Sequence, residues 1–425
     1  MDNAHDICTL LTRNYCNISQ ITIEDKKMRI FLLTLLAAGV LQAQSINQLI
    51  DHSLKKHPSL QTIQHRLSAM DARIEKSRNW SDPELILNLN DIQFSDITNR
   101  SFEPMQTQGA SYKQRFPWFG KIDAREHFTR AQKDVILDSY AIAKVKLAEE
   151  IRITSYTILE IKERIRIVRE YETLTRQNIA LYDAYTSTDA KSHSNSMAAE
   201  LMLSRLHIRS ERYKAVLKSQ EAKLAYLVQS KHATVSDSFR MQKPRSLGYY
   251  LSHLSNNPAY HQTLSRTKVA NANRDMKALE ETPDPFVQVG YFNRQEFEDY
   301  ASVAVGFALP IFGSEKLDTE AARKEVLAAK SASLDYQEGL ESEIRVTYAK
   351  MKEAYRIYDI IQNDSLPKLQ HMFELNEASI ESGEDLFTYT NLLEQKLDLV
   401  EERTVAKAQY LRTVAKLKSL IGEIK

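Results

Sequence analysis

Phe116-Pro117-Trp118-Phe119-Gly120 is a turn that the chain writes a second time as Leu309-Pro310-Ile311-Phe312-Gly313. In each copy the proline ends a strand because it cannot donate to a ladder, and Gly120 or Gly313 permits a sharp exit into the next helix. Working outward, each turn is preceded by short stretches of alternating apolar and polar residues. Before these stands an Asp-Pro pair, Asp82-Pro83 and Asp284-Pro285. Earlier still comes an amphipathic helix pattern with a late proline, Leu54-Lys55-Lys56-His57-Pro58 and Leu254-Ser255-Asn256-Asn257-Pro258. Downstream, each turn opens a long helical hairpin that closes about 107 residues later, at Leu227-Val228 and Leu420-Ile421. A repeat this long makes two equivalent halves of one object. The expected fold is mainly α, a duplicated α-β-β-α unit with repeat one at 44–245 and repeat two at 246–425.

Composition supports long helices. The 425 residues include 10 glycines and 10 prolines; no proline falls between Trp118 and Lys243, and only Pro367 follows Pro310. Such stretches favour uninterrupted helix. The formal net charge is +1 with both signs interleaved, which reads as solvated helix surface. This argues against a nucleic-acid partner, which would need a basic face. Met28-Arg29, the apolar run 30–41 and Leu41-Gln42-Ala43 read as a signal peptide, 28–43, too short to span a membrane. Residues 1–27 read as an artefact of start-codon choice or an uninterpretable extension. Both cysteines, Cys8 and Cys16, lie there, so the mature chain is expected to lack disulfides, thiol metal sites and a lipoprotein anchor. No later run approaches the roughly 20 apolar residues of a spanning helix, so any crossing must use strands.

The helices form two matched columns. Ile151, Thr154, Ile158, Ile161, Ile165 and Val168 follow coiled-coil spacing, resumed at Ile179 and Tyr182. Residues 121–186 would span roughly 100 Å at about 1.5 Å per residue, whereas 196–229 and 46–79 would each span about 50 Å. One long helix therefore lies beside two short ones stacked end to end. The second copy repeats the sum with 316–380 against 386–420 and 246–281. Pro367 is expected to kink or interrupt its helix, with Ser365 capping the restart.

Four strands are expected, at 84–94, 108–116, 286–293 and 300–309. Val287, Val289 and Tyr291 share one face with Val303, Val305, Phe307 and Leu309, while Gln288, Gly290, Ser302, Ala304 and Gly306 between them are small or polar. This is the dyad pattern of a barrel wall with lipid outside and water inside, although the pattern alone also fits a small soluble sheet. The signal peptide and the long helices favour the barrel. Spanning barrels need at least eight strands and tolerate no open edge in lipid, so four strands per chain require oligomerisation. Phe116, Trp118, Phe119 and Phe312 suit a membrane-interface belt.

At this point the chain resembles the TolC-type outer-membrane efflux channel family, over nearly all of 45–422. The resemblance is carried by the turns Pro117–Gly120 and Pro310–Gly313, each followed by a long helix. It is carried further by Leu366-Pro367, Ala378-Ser379-Ile380-Glu381-Ser382-Gly383, Leu392-Leu393-Glu394 and the closing stretch Ala415–Gly422. It implies a homotrimer with a 12-stranded barrel in the outer membrane and a 12-helix tunnel through the periplasm. It also implies a periplasmic adaptor and an inner-membrane RND-type pump as partners. Phe116–Lys121, with Arg125 after it, is similar to the branch serving heavy-metal pumps. The first tip, 186–196, departs from the pattern because it lacks the glycine of the second.

No nucleophile motif, phosphate-cradling loop or metal-protease signature is present, and no cofactor or enzyme activity is expected. His193 and His207 are not spaced for a metal site, and Met197 and Met202 beside them read as helix-core residues rather than a soft-metal path. Glu381, Glu384 and Asp385 surround Gly383, the one glycine at a hairpin tip, where a positive φ is expected. In threefold repetition these acids would form a cation-favouring ring, with Leu386 left to pack into the adaptor. Allowing one residue of slip, Glu394 resembles the family's gate acid, and Glu200 holds the matching position in repeat one. The leading expectation is a passive exit duct, with heavy-metal cations as cargo. Alternatives are a drug, detergent or polypeptide duct of the same fold, and a periplasmic coiled-coil structural protein.

Overall fold

The computed structural model describes residues 45–185, 190–231, 233–237, 239–381 and 386–424. The expected signal peptide and the tip residues Gly383, Glu384 and Asp385 therefore lie outside the described residues. The first half runs α1 (Ile46–Lys56), α2 (Pro58–Ser77), β1 (Glu84–Asn90), β2 (Thr107–Arg115), α3 (Lys121–Tyr185) and α4 (Ala190–Val228). A linker leads to α5 (Leu247–Ser252), a short 3₁₀ turn, α6 (Pro258–Glu280), β3 (Pro285–Asn293), β4 (Tyr300–Phe307), α7 (Ser314–Ile360), α8 (Leu366–Glu381) and α9 (Leu386–Leu420). Among the described residues no helix is long and apolar enough to cross a membrane.

Each opening helix is broken rather than merely kinked. His57 and Asn257 adopt extended backbone before Pro58 and Pro258, and their side chains cap the following helices by accepting from Ser59 N–H and Tyr260 N–H. Proline at the first helical position loses no hydrogen bond, so the break is local. Pro367 behaves differently. Residues Ile361–Ser365 form a π turn and the helix continues through it, so Ser365 is itself helical and caps no restart. The extra residue in the turn absorbs the missing N–H of the proline.

α3 packs against α1, α2 and α4, and α7 packs against α6 and α9, so each long helix does lie beside shorter ones. α3 also touches α6 and α9, joining the two halves. The expected seam is buried: Ile151, Thr154, Ile158, Ile161, Ile165 and Val168 all lie in the interior. Each apolar member contributes about 1.5–3 kcal/mol by leaving water. Nearer the tip the seam shifts to Tyr171, Thr175 and Asn178, while Ile179 is only half-buried. These polar residues are tolerated because Thr175 bonds Tyr171 O at 2.8 Å and Asn178 donates to Thr390 Oγ1 at 2.8 Å.

The strands form one antiparallel meander, β1-β2-β3-β4. Val287 faces Val305, Val289 faces Val303, Tyr112 faces Val289, and Leu85 faces Tyr112, so one face is continuous and apolar. That face is exposed: Leu87 at 78 %, Leu89 at 61 %, Val303 at 70 % and Val305 at 71 %. The opposite face is not uniformly small and polar as expected. Besides Asn88, Asn90, Thr107, Ser111 and Gln288 it carries Phe286, Phe292 and Tyr300. Phe292 stacks on Tyr300 and lies over Gly109 and Gly290, where an added Cβ would sit within 2.7 Å of its ring. β1 and β4 end earlier than expected because their ladders run out there: Asn90 pairs with Thr107, the first residue of β2, and Phe307 with Pro285, the first residue of β3.

Candidate functional site

The two Pro-x-Phe-Gly turns join sheet to coil. Gly120 (φ +84°) and Gly313 (φ +74°) occupy the left-handed region that favours glycine, and each carbonyl opens the next helix by accepting from Ala124 N–H or Leu317 N–H. Pro117 and Pro310 precede them where no ladder hydrogen bond is lost. Around the turns Trp118, Phe119, Ile311 and Phe312 are exposed, the geometry of an interfacial aromatic belt. Trp80 joins them, exposed and edge-on to Phe116 at 5.4 Å. The sequence pattern does not reveal Trp80, because it stands outside the repeated turn.

The first turn is stitched to the second half. Phe116 N–H donates to Pro285 O, Trp118 N–H donates to Asp284 Oδ1, and Lys121 Nζ pairs with Asp284, each at 2.8 Å. Asp284-Pro285 thus has a structural role, holding the strand exit of the first repeat.

Toward the tips, the coils of the two halves are joined by an alternating chain of charges. Arg205 pairs with Glu394 at 3.4 Å, and Arg209 reaches Asp398 at 3.2 Å and Glu401 at 3.0 Å. Arg164 lies between Glu401 and Glu160, and Arg412 closes the chain on Glu160. Tyr213 sits at the centre, accepting from Arg164 at 2.6 Å and donating to Glu401 at 2.7 Å. Burial and the Glu401 hydrogen bond push the Tyr213 pKa up to about 12. The outer pairs are exposed and worth little, whereas Glu160 and Glu401 are buried and depend on their partners. Sequence spacing within one helix does not reveal this set, since its members come from α3, α4 and α9.

Of the gate candidates, Glu394 is half-buried on α9 and engaged by Arg205. Glu200 is exposed on α4, five residues tipward of Arg205. Glu381 ends α8 and Leu386 begins α9, and their side chains lie outside the described set. His207 contacts Arg176 at 3.3 Å; Met202 is buried against Thr175 as a helix-core residue, whereas Met197 is exposed on α4 and does not hold the core position expected of it. Among the described residues no group of three or more His, Cys, Asp or Glu converges on a metal-sized site.

Comparison with known proteins adds the fold. No family model matches the sequence, and no curated protein does either. Solved structures match closely in shape. CusC, studied for its folding and transmembrane channel formation, superposes with a TM-score of 0.72 at 11 % identity, covering 90 % of this chain and 93 % of its own. The CmeC outer membrane channel of Campylobacter jejuni gives 0.72 at 13 % identity, over 90 % and 86 % of the two chains. The open state of the MtrE outer membrane channel of Neisseria gonorrhoeae gives 0.71 at 13 %, over 89 % of each. The chain therefore has the fold of the TolC-type outer-membrane efflux channels.

Proposed function

We propose that the protein is the passive exit duct of a tripartite efflux system, with its sheet in the outer membrane and its helices in the periplasm. The observation that carries this reading is the sheet: four antiparallel strands with a fully exposed apolar face and two outer edges. In lipid those edges must close on further copies. Two copies would make eight strands, whose interior side chains fill; three make twelve and leave a lumen. The duct has no catalytic group, and energy comes from a periplasmic adaptor and an inner-membrane RND-type pump docked at the tips. Glu381, Gly383, Glu384, Asp385 and Leu386 are our docking and gate residues, with Glu394 and Glu200 behind them.

The repeat also supplies the register of closure. Matching the two turns places Phe116 on Leu309, and matching the Asp-Pro pairs places Asp284 on Asp82. The contact of β2 with β3 is then the template for β4 against β1 of the next copy. It sets Val305 opposite Leu87, Ala304 opposite Asn88 and Val303 opposite Leu89. The apolar residues fall on one face across the junction, as they do within the chain. Asp82 of one copy would take the Ile311 N–H of its neighbour, as Asp284 takes that of Trp118.

Heavy-metal cations are the cargo we favour, on the strength of the Phe116–Lys121 turn and the acidic second tip. Deletion of the gene tests this: new sensitivity to copper, zinc, cobalt, nickel, cadmium or silver supports it. Unchanged metal tolerance with new drug or detergent sensitivity assigns a drug or detergent duct instead.

A further inference from the structure

Where the linker between the halves crosses the helices, a cavity of about 500 Å³ opens between α1, α3, α5, α9 and linker residues 237–245. Its wall carries five cations, Arg152, Arg240, Lys243, Arg245 and Lys418, against one carboxylate, Asp237. Asp237 is already engaged by the Ile46 N–H at 2.7 Å. Glu423 pairs with Arg245 at 3.7 Å and Lys418 at 2.6 Å, which leaves the wall with an excess of positive charge. Arg152 is the least ordinary of the five. It is 4 % exposed, its Nη2 donates to Ile424 O, and its Nη1 finds no acceptor among the described residues. A buried guanidinium with an idle donor is costly unless an anion completes it. Burial also holds the Arg152 pKa below its ordinary value, although the group remains charged. The rest of the wall is largely aromatic and apolar, with Tyr156, Tyr250, Tyr410, Leu411 and Val414, beside Asn47 and Gln242.

We propose that this cavity binds a small organic oxyanion, a carboxylate or phosphate on an apolar body. The anionic group meets Arg152, and the body lies among Tyr156, Tyr250 and Tyr410. The volume is that of a metabolite site, and a planar guanidinium suits a bidentate oxyanion. The occupant would touch α3 of the first half, α9 of the second and the linker between them, so it would fasten the two halves together. The inference stands whether or not the chain is an efflux duct, because it rests on the cavity alone.

The test titrates the purified full chain, in detergent micelles, with sodium benzoate and with inorganic phosphate, following the thermal midpoint. Sodium chloride at matched ionic strength is the reference. A ligand that binds the folded chain raises the midpoint saturably. We expect such a rise with benzoate or phosphate and none with chloride; the tighter of the two identifies the anionic group. Arg240→Gln with Lys243→Gln, two exposed positions on the rim, should weaken the apparent Kd at least tenfold. Arg152→Lys, which keeps charge but loses the planar fork, should weaken it likewise. A rise that never saturates and is equal in parent and rim variant overturns the site, as does no rise with either anion.

Discussion

Cysteines placed at Ala304 and Asn88 should lock neighbouring copies together and report the register of barrel closure. Cys8 and Cys16 are first replaced by serine so that the new pair is alone. Residues directly opposite in an antiparallel ladder have Cα atoms about 4.5–5.5 Å apart, inside the roughly 4.4–6.8 Å range of a disulfide. The control pair, Ala304→Cys with Ile86→Cys, is two residues out of register, at about 7–8 Å, and should not close. The register is worth defending energetically. A slip of one residue would turn Leu85, Leu87 and Leu89 toward the water-filled side. At about 1.5–3 kcal/mol for each, the slip costs about 5–9 kcal/mol per junction. On a denaturing gel without reductant, the matched pair should give bands at two and three chain masses that collapse on reduction. Equal cross-linking of both pairs, or cross-linking of the control alone, would refute the argument from the repeat.

Val305→Arg puts a charge on the exposed apolar face and should cost about 2–4 kcal/mol per copy at mid-depth, seen as a lower yield of assembled oligomer. Glu401→Ala strips the buried acid from Arg164, Arg209 and Tyr213 and should destabilise by about 3–5 kcal/mol in denaturant melts. Arg205→Ala touches one exposed pair and should change stability by about 1 kcal/mol or less, yet raise single-channel conductance by loosening the coils near the tip. Arg78 and Arg130 hold the Glu126 pKa at about 2, below its ordinary 4.5, so that contribution is complete above 4.5 and lost as pH falls toward 2. Glu126→Gln should therefore lower the thermal midpoint at pH 7, and the gap should close near pH 2.

Much of the fold was legible because it is periodic and repeated. The seam from Ile151 to Val168, the alternation of Val287 to Val305 and the twin glycine turns each follow from one-dimensional spacing. What spacing could not show is what depends on contact across the chain. The buried amide of Asn178 is tolerated in the seam because Thr390 of α9 offers a partner. The alternating charge chain through Arg164, Tyr213 and Glu401 draws on three helices. Phe286 and Phe292 sit on the polar face of the sheet because glycines on neighbouring strands leave room beneath their rings. The π turn before Pro367 escapes sequence reasoning for a related reason: a helix can absorb a proline by widening, and the sequence does not show which relief it takes.

The central claim, that three copies close one barrel, is tested most directly by the mass of the protein released intact from detergent micelles. A trimeric barrel gives a single species at three times the chain mass that precipitates when detergent is withdrawn. A monomer that stays in solution without detergent would contradict it.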